Sequence, residues 1–233
     1  MIRCLRPFDP HRIRLLVFDL DGTLIDSRLD LIHSVNAMLL HIGRPELEGD
    51  VIASYVGDGA PALVRRALEN TDDETLLRAA LEYFLGYYRV HKLDHTTVYE
   101  GIPETLARLA EPNGAQPNGV HRQMAVLTNK PVMASRDIVR ALGLGDFFVR
   151  VYGGNSFTTK KPDPLGVRTI LEETSVAAEE ALMIGDSSVD VLTGRNAGLW
   201  TCGVTYGFAP HSLKEVVPDV VVETPRELGE LLR

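Results

Sequence analysis

The stretch LLVFDLDGTLIDS, residues Leu15 to Ser27, decides how the chain is read. An apolar run of strand character ends in two aspartates one residue apart, followed at once by Gly22 and Thr23. A chain that needed only to leave a sheet and turn would not place two negative charges there. Carboxylates so close repel each other unless a cation or a shared proton resolves the conflict. Asp19 and Asp21 therefore ask for a metal, a proton or both.

Working outward, RLLVFD, QMAVLTN, RVYGG, ALMIGD, LWTCGVT and DVVVE each read as a buried strand. Their apolar character is continuous rather than alternating, as in a parallel sheet covered on both faces. Helical patterns fall between most of them, and MASRDIVRALGLG carries a glycine just past its periodic part. The fold class is α/β, a doubly wound parallel sheet with a Rossmann-like core, whose ligands sit at the carboxyl ends of the strands. The interval from Ser27 to Val98 breaks the rhythm with three helical patterns, LDLIHSVNAMLLHIG, APALVRRALEN and DETLLRAALEYFLGYYRVH. That is too long for a crossover and reads as an inserted α-helical domain over residues 27–97. Residues 1–26 and 98–233 then form the α/β core. EPNGAQPNGVHR, rich in Pro, Gly and Asn, reads as a surface loop.

Bulk properties exclude several function classes. A net charge of −8 argues against general binding to nucleic acid or to an anionic membrane. Any anionic ligand must then meet positive charge supplied locally. No apolar run reaches membrane-spanning length. Cys4 and Cys202 cannot build a disulfide framework and fit a reducing compartment. The basic N-terminal MIRCLRPFDPHRIR lacks an apolar signal core and reads as an extension before the first strand. The expected location is cytoplasmic.

Four strand ends carry chemistry. Asp19 and Asp21 end the first strand, Thr128 and Asn129 end MAVLTN, Lys160 and Lys161 follow the next strand, and Asp186 ends LMIGD with Asp190 four positions on. In a parallel sheet these ends lie at one edge and can converge on one ligand. Any one of them could be a helix cap. Capping does not account for all four together, nor for the second aspartate and the lysine. Oxygens of Asp19 and Asp186, with a backbone carbonyl and waters, suit a hard cation such as magnesium, Mg²⁺. The metal and a lysine would neutralise a phosphoryl group while Thr128 and backbone N–H groups orient it. One aspartate can attack phosphorus and form an aspartyl-phosphate, and its neighbour can move protons.

DLDGTLIDS, LTNK, KKPDP and IGDSSVD resemble, in order, the four motifs of the haloacid dehalogenase-like hydrolase superfamily, across nearly the whole chain. The helical insertion resembles that family's mobile cap. The resemblance implies Asp19 as nucleophile, Asp21 as general acid/base, Thr128 as phosphate ligand and Lys161, which directly precedes the proline, as the charge-balancing lysine. It implies Mg²⁺ held by Asp19, the Asp21 carbonyl and Asp186, with Asp190 in support. VGDGAPALVRRAL, GGNSFTTKKPDP and GVTYGF look most like phosphoglycolate phosphatases, although Asn155 stands where that subfamily usually has aspartate. The expected reaction is hydrolysis of 2-phosphoglycolate, with a phosphomutase, or a phosphatase of sugar phosphates or pyrophosphate, using the same site as the alternative. A receiver-like signalling module is about half this length and has no such insert. The implied partner is a small phosphorylated metabolite, with the chain a monomer or homodimer.

Other features read more plainly. GDGAPA fits the loose dinucleotide fingerprint but opens no βαβ unit. Gly57, Asp58 and Gly59 read instead as a helix start or a cap loop over the active site, in contact with substrate. Arg65 and Arg66 are candidates for a substrate carboxylate, against the plainer reading of a solvated face. His91 and His95 have metal-pair spacing on a helix but no third ligand, and read as solvated residues near the cap junction. Trp200 and Tyr206 read as packing residues.

Overall fold

All four residues of the strand Leu15–Phe18 are buried, because it lies inside a seven-stranded sheet with a parallel neighbour on each side. The computed structural model describes residues 2–7, 9–111 and 121–232. Its strands and α-helices in chain order are β1 (Arg3–Cys4), β2 (Leu15–Phe18), β3 (Ile25–Asp26), α1 (Arg28–His41), α2 (Gly49–Ser54), α3 (Ala60–Ala67), α4 (Glu74–His91), β4 (Thr97–Val98) and α5 (Ile102–Ala110). There follow β5 (Gln123–Leu127), α6 (Val132–Ala141), β6 (Arg150–Tyr152), α7 (Leu165–Thr174), β7 (Ala181–Gly185), α8 (Ser188–Ala197), β8 (Trp200–Val204), β9 (Val220–Val222) and α9 (Pro225–Leu231). The sheet order is β1-β9-β8-β7-β2-β5-β6, parallel except at β1.

The continuous apolar runs have a direct cause. Leu16 and Phe18 pack with Ile102 and Leu106 of α5 and Leu228 of α9 on one face. Leu15 and Val17 pack with Val167 and Ile170 of α7 on the other. Successive side chains leave opposite faces, and both faces are covered. The six expected strands are present as β2 and β5–β9. The N-terminal extension differs from expectation, since Arg3 and Cys4 pair antiparallel with Val221 and Val220. Two residues are too few to show a period in sequence. The expected loop at 111–122 falls mostly on residues 112–120, which lie outside the described residues.

Helices α1–α4 gather around their own apolar cluster, with Val35, Met38, Ile52, Val64, Ala80 and Phe84 at its centre. Helix α2 was not legible in the sequence, being six residues long. The chain leaves and re-enters the core through the antiparallel pair β3–β4. Beside it the buried Asp30 carboxylate accepts the N–H groups of His95 and Thr96, each at 2.9 Å, and the Thr96 hydroxyl at 2.6 Å. His95 therefore does not share α4 with His91. His91 Nδ1 lies 2.7 Å from Asp94 Oδ2, whereas the His95 ring packs edge-on against His33. Among the described residues no helix is long and apolar enough to cross a membrane.

Candidate active site

The parallel strands β2, β5 and β7 end side by side, and their following residues line one cavity. Asp19, Asp21, Gly57, Gly59, Thr128, Asn129, Lys161 and Asp186 all contribute to its wall. The cavity holds about 60 Å³, room for roughly four to six waters, which suits a small ligand. Its floor is polar and comes from the core. Its roof comes from residues 31–88 and is apolar, built by Leu31, Val56, Ala60, Leu63, Phe84 and Leu85 with Tyr88 beside them.

Two buried lysines organise the floor. Lys161 Nζ donates to Asp19 Oδ1 at 2.7 Å and to Asp190 Oδ1 at 2.6 Å. Asp190 Oδ2 accepts the Ser187 N–H at 3.1 Å and its hydroxyl at 2.6 Å. Asp190 thus serves both as the return half of a capping box for α8 and as an anchor for Lys161. Lys130 Nζ lies 2.8 and 2.9 Å from the two oxygens of Asp21. Ser27 occupies the N-cap position of α1 but makes no capping bond, and its hydroxyl donates to Asp21 Oδ1 at 2.5 Å. Burial alone would lower both lysines, yet the facing carboxylates hold them well above the ordinary ammonium value.

Asp19, Asp186 and Asp190 bring oxygens within 4.8 Å of one another. Three carboxylates there face the single ammonium of Lys161, so with all three ionised two negative charges would be uncompensated. The strain shows in the acids: burial, then the charge of Asp190 and Asp19, pushes Asp186 up to about 8. Burial likewise pushes Asp19 up to about 6, even though Lys161 pulls the other way. Asp186 Oδ2 accepts the N–H groups of Phe208 at 2.5 Å and Ala209 at 3.0 Å. Hydrogen bonds among the described residues leave Asp19 Oδ2 and Asp186 Oδ1 uncommitted. Two free hard oxygens and two surplus negative charges are the donor set a divalent cation such as Mg²⁺ fits. The close packing explains Gly22, which has φ +83° and whose Cβ would sit 2.4 Å from Asp186 Oδ2.

Other expected site residues behave differently. Thr128 lines the cavity, and its hydroxyl accepts the Lys130 N–H at 3.2 Å. Asn129 Nδ2 donates to the Gly57 carbonyl at 3.0 Å and to the Lys161 carbonyl at 3.2 Å, tying the α2–α3 loop to the core. Asp58 does not line the cavity; its carboxylate pairs with Arg66 and its carbonyl accepts Lys160 Nζ. Arg66 is further held by the Tyr55 carbonyl, and Arg65 by the Thr71 carbonyl and Glu74. Neither arginine reaches the cavity. Asn155 accepts the Val132 N–H at 2.9 Å and so supports the start of α6. Tyr206 donates to the Thr23 carbonyl at 3.0 Å and Trp200 Nε1 to the Glu179 carbonyl at 3.2 Å, both packing roles. Sequence reasoning missed Lys130, Ser27, Tyr88 and the Phe208–Ala209 amides. Lys130 stands in the quoted LTNK, but a lysine after a strand end is ordinarily solvated, and only its burial marks it.

A profile of the haloacid dehalogenase-like hydrolase family matches residues 16–204. A phosphoglycolate phosphatase of Pseudomonas savastanoi pv. phaseolicola is 38% identical over 222 residues, 92% of this chain and 78% of that protein. One of Chromobacterium violaceum is 35% identical over 225 residues, 95% of this chain and 97% of that protein. The crystal structure of a predicted phosphoglycolate phosphatase from Haemophilus somnus superposes with a TM-score of 0.85 at 26% identity, covering 95% of this chain and 99% of that one. With its strand-end acids, buried lysines and helical roof, the chain belongs to the haloacid dehalogenase-like hydrolases, and among them to the phosphoglycolate phosphatase-like phosphoric monoester hydrolases.

Proposed function

We propose that the protein hydrolyses 2-phosphoglycolate to glycolate and phosphate through an aspartyl-phosphate on Asp19. The observation that carries this reading is the pair Asp19 and Asp21 in one small cavity, each carboxylate held by a lysine of its own. An Asp19 oxygen attacks phosphorus, the bond to the glycolate oxygen breaks, and Asp21 gives that oxygen its proton. Asp21 then takes a proton from water, whose oxygen displaces Asp19 and releases phosphate. Thr128 and Lys161 hold the phosphoryl oxygens, while Asn129, Gly57 and Gly59 shape the space around the ester. Asp19, Asp186 and the Asp21 carbonyl would hold Mg²⁺, which when bound neutralises phosphoryl charge. Residues 27–97 act as a cap whose apolar roof keeps water from the ester until the alcohol has left.

The roof also favours a compact substrate. Among its described residues Tyr88 alone carries a side-chain polar group, so the preference rests on the small size of the cavity rather than on polar matching by the roof. The protein works in the cytoplasm on a small phosphorylated metabolite, as monomer or homodimer, without nucleic acid or membrane. The test is a panel of phosphate esters assayed with and without Mg²⁺. Phosphoglycolate should give the highest kcat/KM, and a clear preference for a sugar phosphate or pyrophosphate would overturn the substrate assignment.

A further inference from the structure

Lys130 has no place in the chemistry read from the strand ends, yet it is buried as deeply as Lys161. A buried ammonium is costly unless something specific holds it. Here its Nζ contacts both oxygens of Asp21, and the ring of Tyr88, from α4, covers it at 4.7 Å from Nζ to ring centroid. Ser27, at the start of the helical insert, adds the third contact to Asp21. The carboxyl group is thus gripped from the β5 end and the cap entrance, and its grip is roofed by the cap's long helix. The neighbouring Asn129 reaches the cap as well, through the Gly57 carbonyl. One segment after β5 therefore meets the cap at two points while holding the acid/base aspartate.

We propose that Lys130 is the positioning residue for Asp21, setting its carboxyl for proton transfer to the leaving oxygen, with Tyr88 of the seated cap completing the arrangement. This rests on the reading of Asp21 as general acid/base. Lys161 does for the attacking carboxylate what Lys130 does for the proton-moving one. A cap that lifts takes Tyr88 away and opens the Lys130–Asp21 pair to water, so the grip on the acid is tightest when the site is closed.

The test compares kcat/KM, which reports steps up to departure of the alcohol, for three substrates. Phosphoglycolate and 2-hydroxyethyl phosphate have alkoxide leaving groups that need a proton, whereas 4-nitrophenyl phosphate does not. Lys130→Met should lower kcat/KM for both alkyl esters by about a hundredfold or more, and for the aryl ester by less than about tenfold. Lys130→Arg should recover at least about tenfold of that loss, and Tyr88→Leu should show the same pattern more weakly. Lys130→Met/Asp21→Asn should be no worse than Asp21→Asn alone, because the two act as one unit. If methionine prevents folding, Lys130→Gln and Tyr88→Leu carry the same comparison. Equal losses on all three substrates, or additive effects in the double variant, would overturn the proposal. A loss confined to phosphoglycolate would also overturn it, and would make Lys130 the reader of the substrate carboxylate. Indifference of Asp21→Asn to the leaving group would instead sink the acid/base reading, which separates the two failures.

Discussion

Lys161 and Asp19 stand 142 positions apart in the chain and meet at 2.7 Å in the buried floor of the cavity, where the same ammonium also binds Asp190. The contact restrains the Asp19 carboxylate and offsets part of the negative charge around it. Removing either partner should have opposite consequences for the fold. Asp19→Asn keeps size and relieves like-charge repulsion, so the thermal midpoint should hold or rise while kcat falls at least about a thousandfold. Lys161→Met strands two buried carboxylates and should cost about 3–5 kcal/mol in urea unfolding. Substantial turnover by Asp19→Asn would show that another group is the nucleophile.

Metal dependence is the outcome expected from the three clustered acids. Chelation and dialysis should abolish activity, and Mg²⁺ should restore it better than softer cations. Asp186→Ala should raise the Mg²⁺ concentration needed for half-maximal rate at least about tenfold. An enzyme indifferent to chelator would refute the site.

The same acids set the pH dependence of the metal-free protein. Asp19 and Asp186 stand at about 6 and about 8 in the folded chain, against 3.8 for the ordinary side chain. Raised values mean that the native state binds these protons more tightly than the unfolded chain does. Their contribution to stability is full below pH 3.8 and is lost as pH rises through 6 and 8. Between pH 5 and pH 8.5 the metal-free thermal midpoint should therefore fall, by about 3 °C or more, since 1 kcal/mol is worth roughly 2–4 °C at this chain length. Saturating Mg²⁺ should remove most of that fall. A midpoint that rises over this range without metal would contradict the buried, undercompensated cluster.

Gly22→Ala tests how closely the first motif is packed on the third acid. Its backbone has φ +83°, and the added methyl would meet Asp186 Oδ2 at 2.4 Å. Left-handed strain alone is worth about 1–2 kcal/mol. Displacement of Asp186 should also weaken Mg²⁺, so activity at limiting metal should drop further than stability does. Recovery of full activity at ordinary metal concentrations would mean that Asp186 has room to move.

Asp30→Ala addresses the junction between core and helical insert. It removes a buried carboxylate that accepts two backbone amides and the Thr96 hydroxyl, and leaves those donors without partners. The expected cost is about 2–4 kcal/mol by urea unfolding, with KM raised because the insert is no longer anchored where it returns. A loss below about 0.5 kcal/mol would show that the junction is held by β3–β4 pairing instead.

The chain's local pattern by itself determined the doubly wound sheet, because strands buried on both faces must read as unbroken apolar runs. It also pointed to the strand ends that line the candidate site. Asp19, Thr128, Lys161 and Asp186 each follow such a run, and parallel strands bring those ends to one edge. The three long helical insert segments were legible because their apolar positions recur at helical spacing, whereas β1, β3, β4 and α2 were too short to carry a period. Tertiary structure alone decided the partners. Lys130, Lys160 and Lys161 look alike in sequence, but one holds Asp21, one reaches the Asp58 carbonyl and one holds Asp19. Arg65 and Arg66, equally eligible on paper, are spent inside the insert. The reason is physical: burial and periodicity are properties of a segment, while the end of a long, flexible side chain goes wherever an opposite charge has been packed. That place is set by elements up to 142 residues away in the chain.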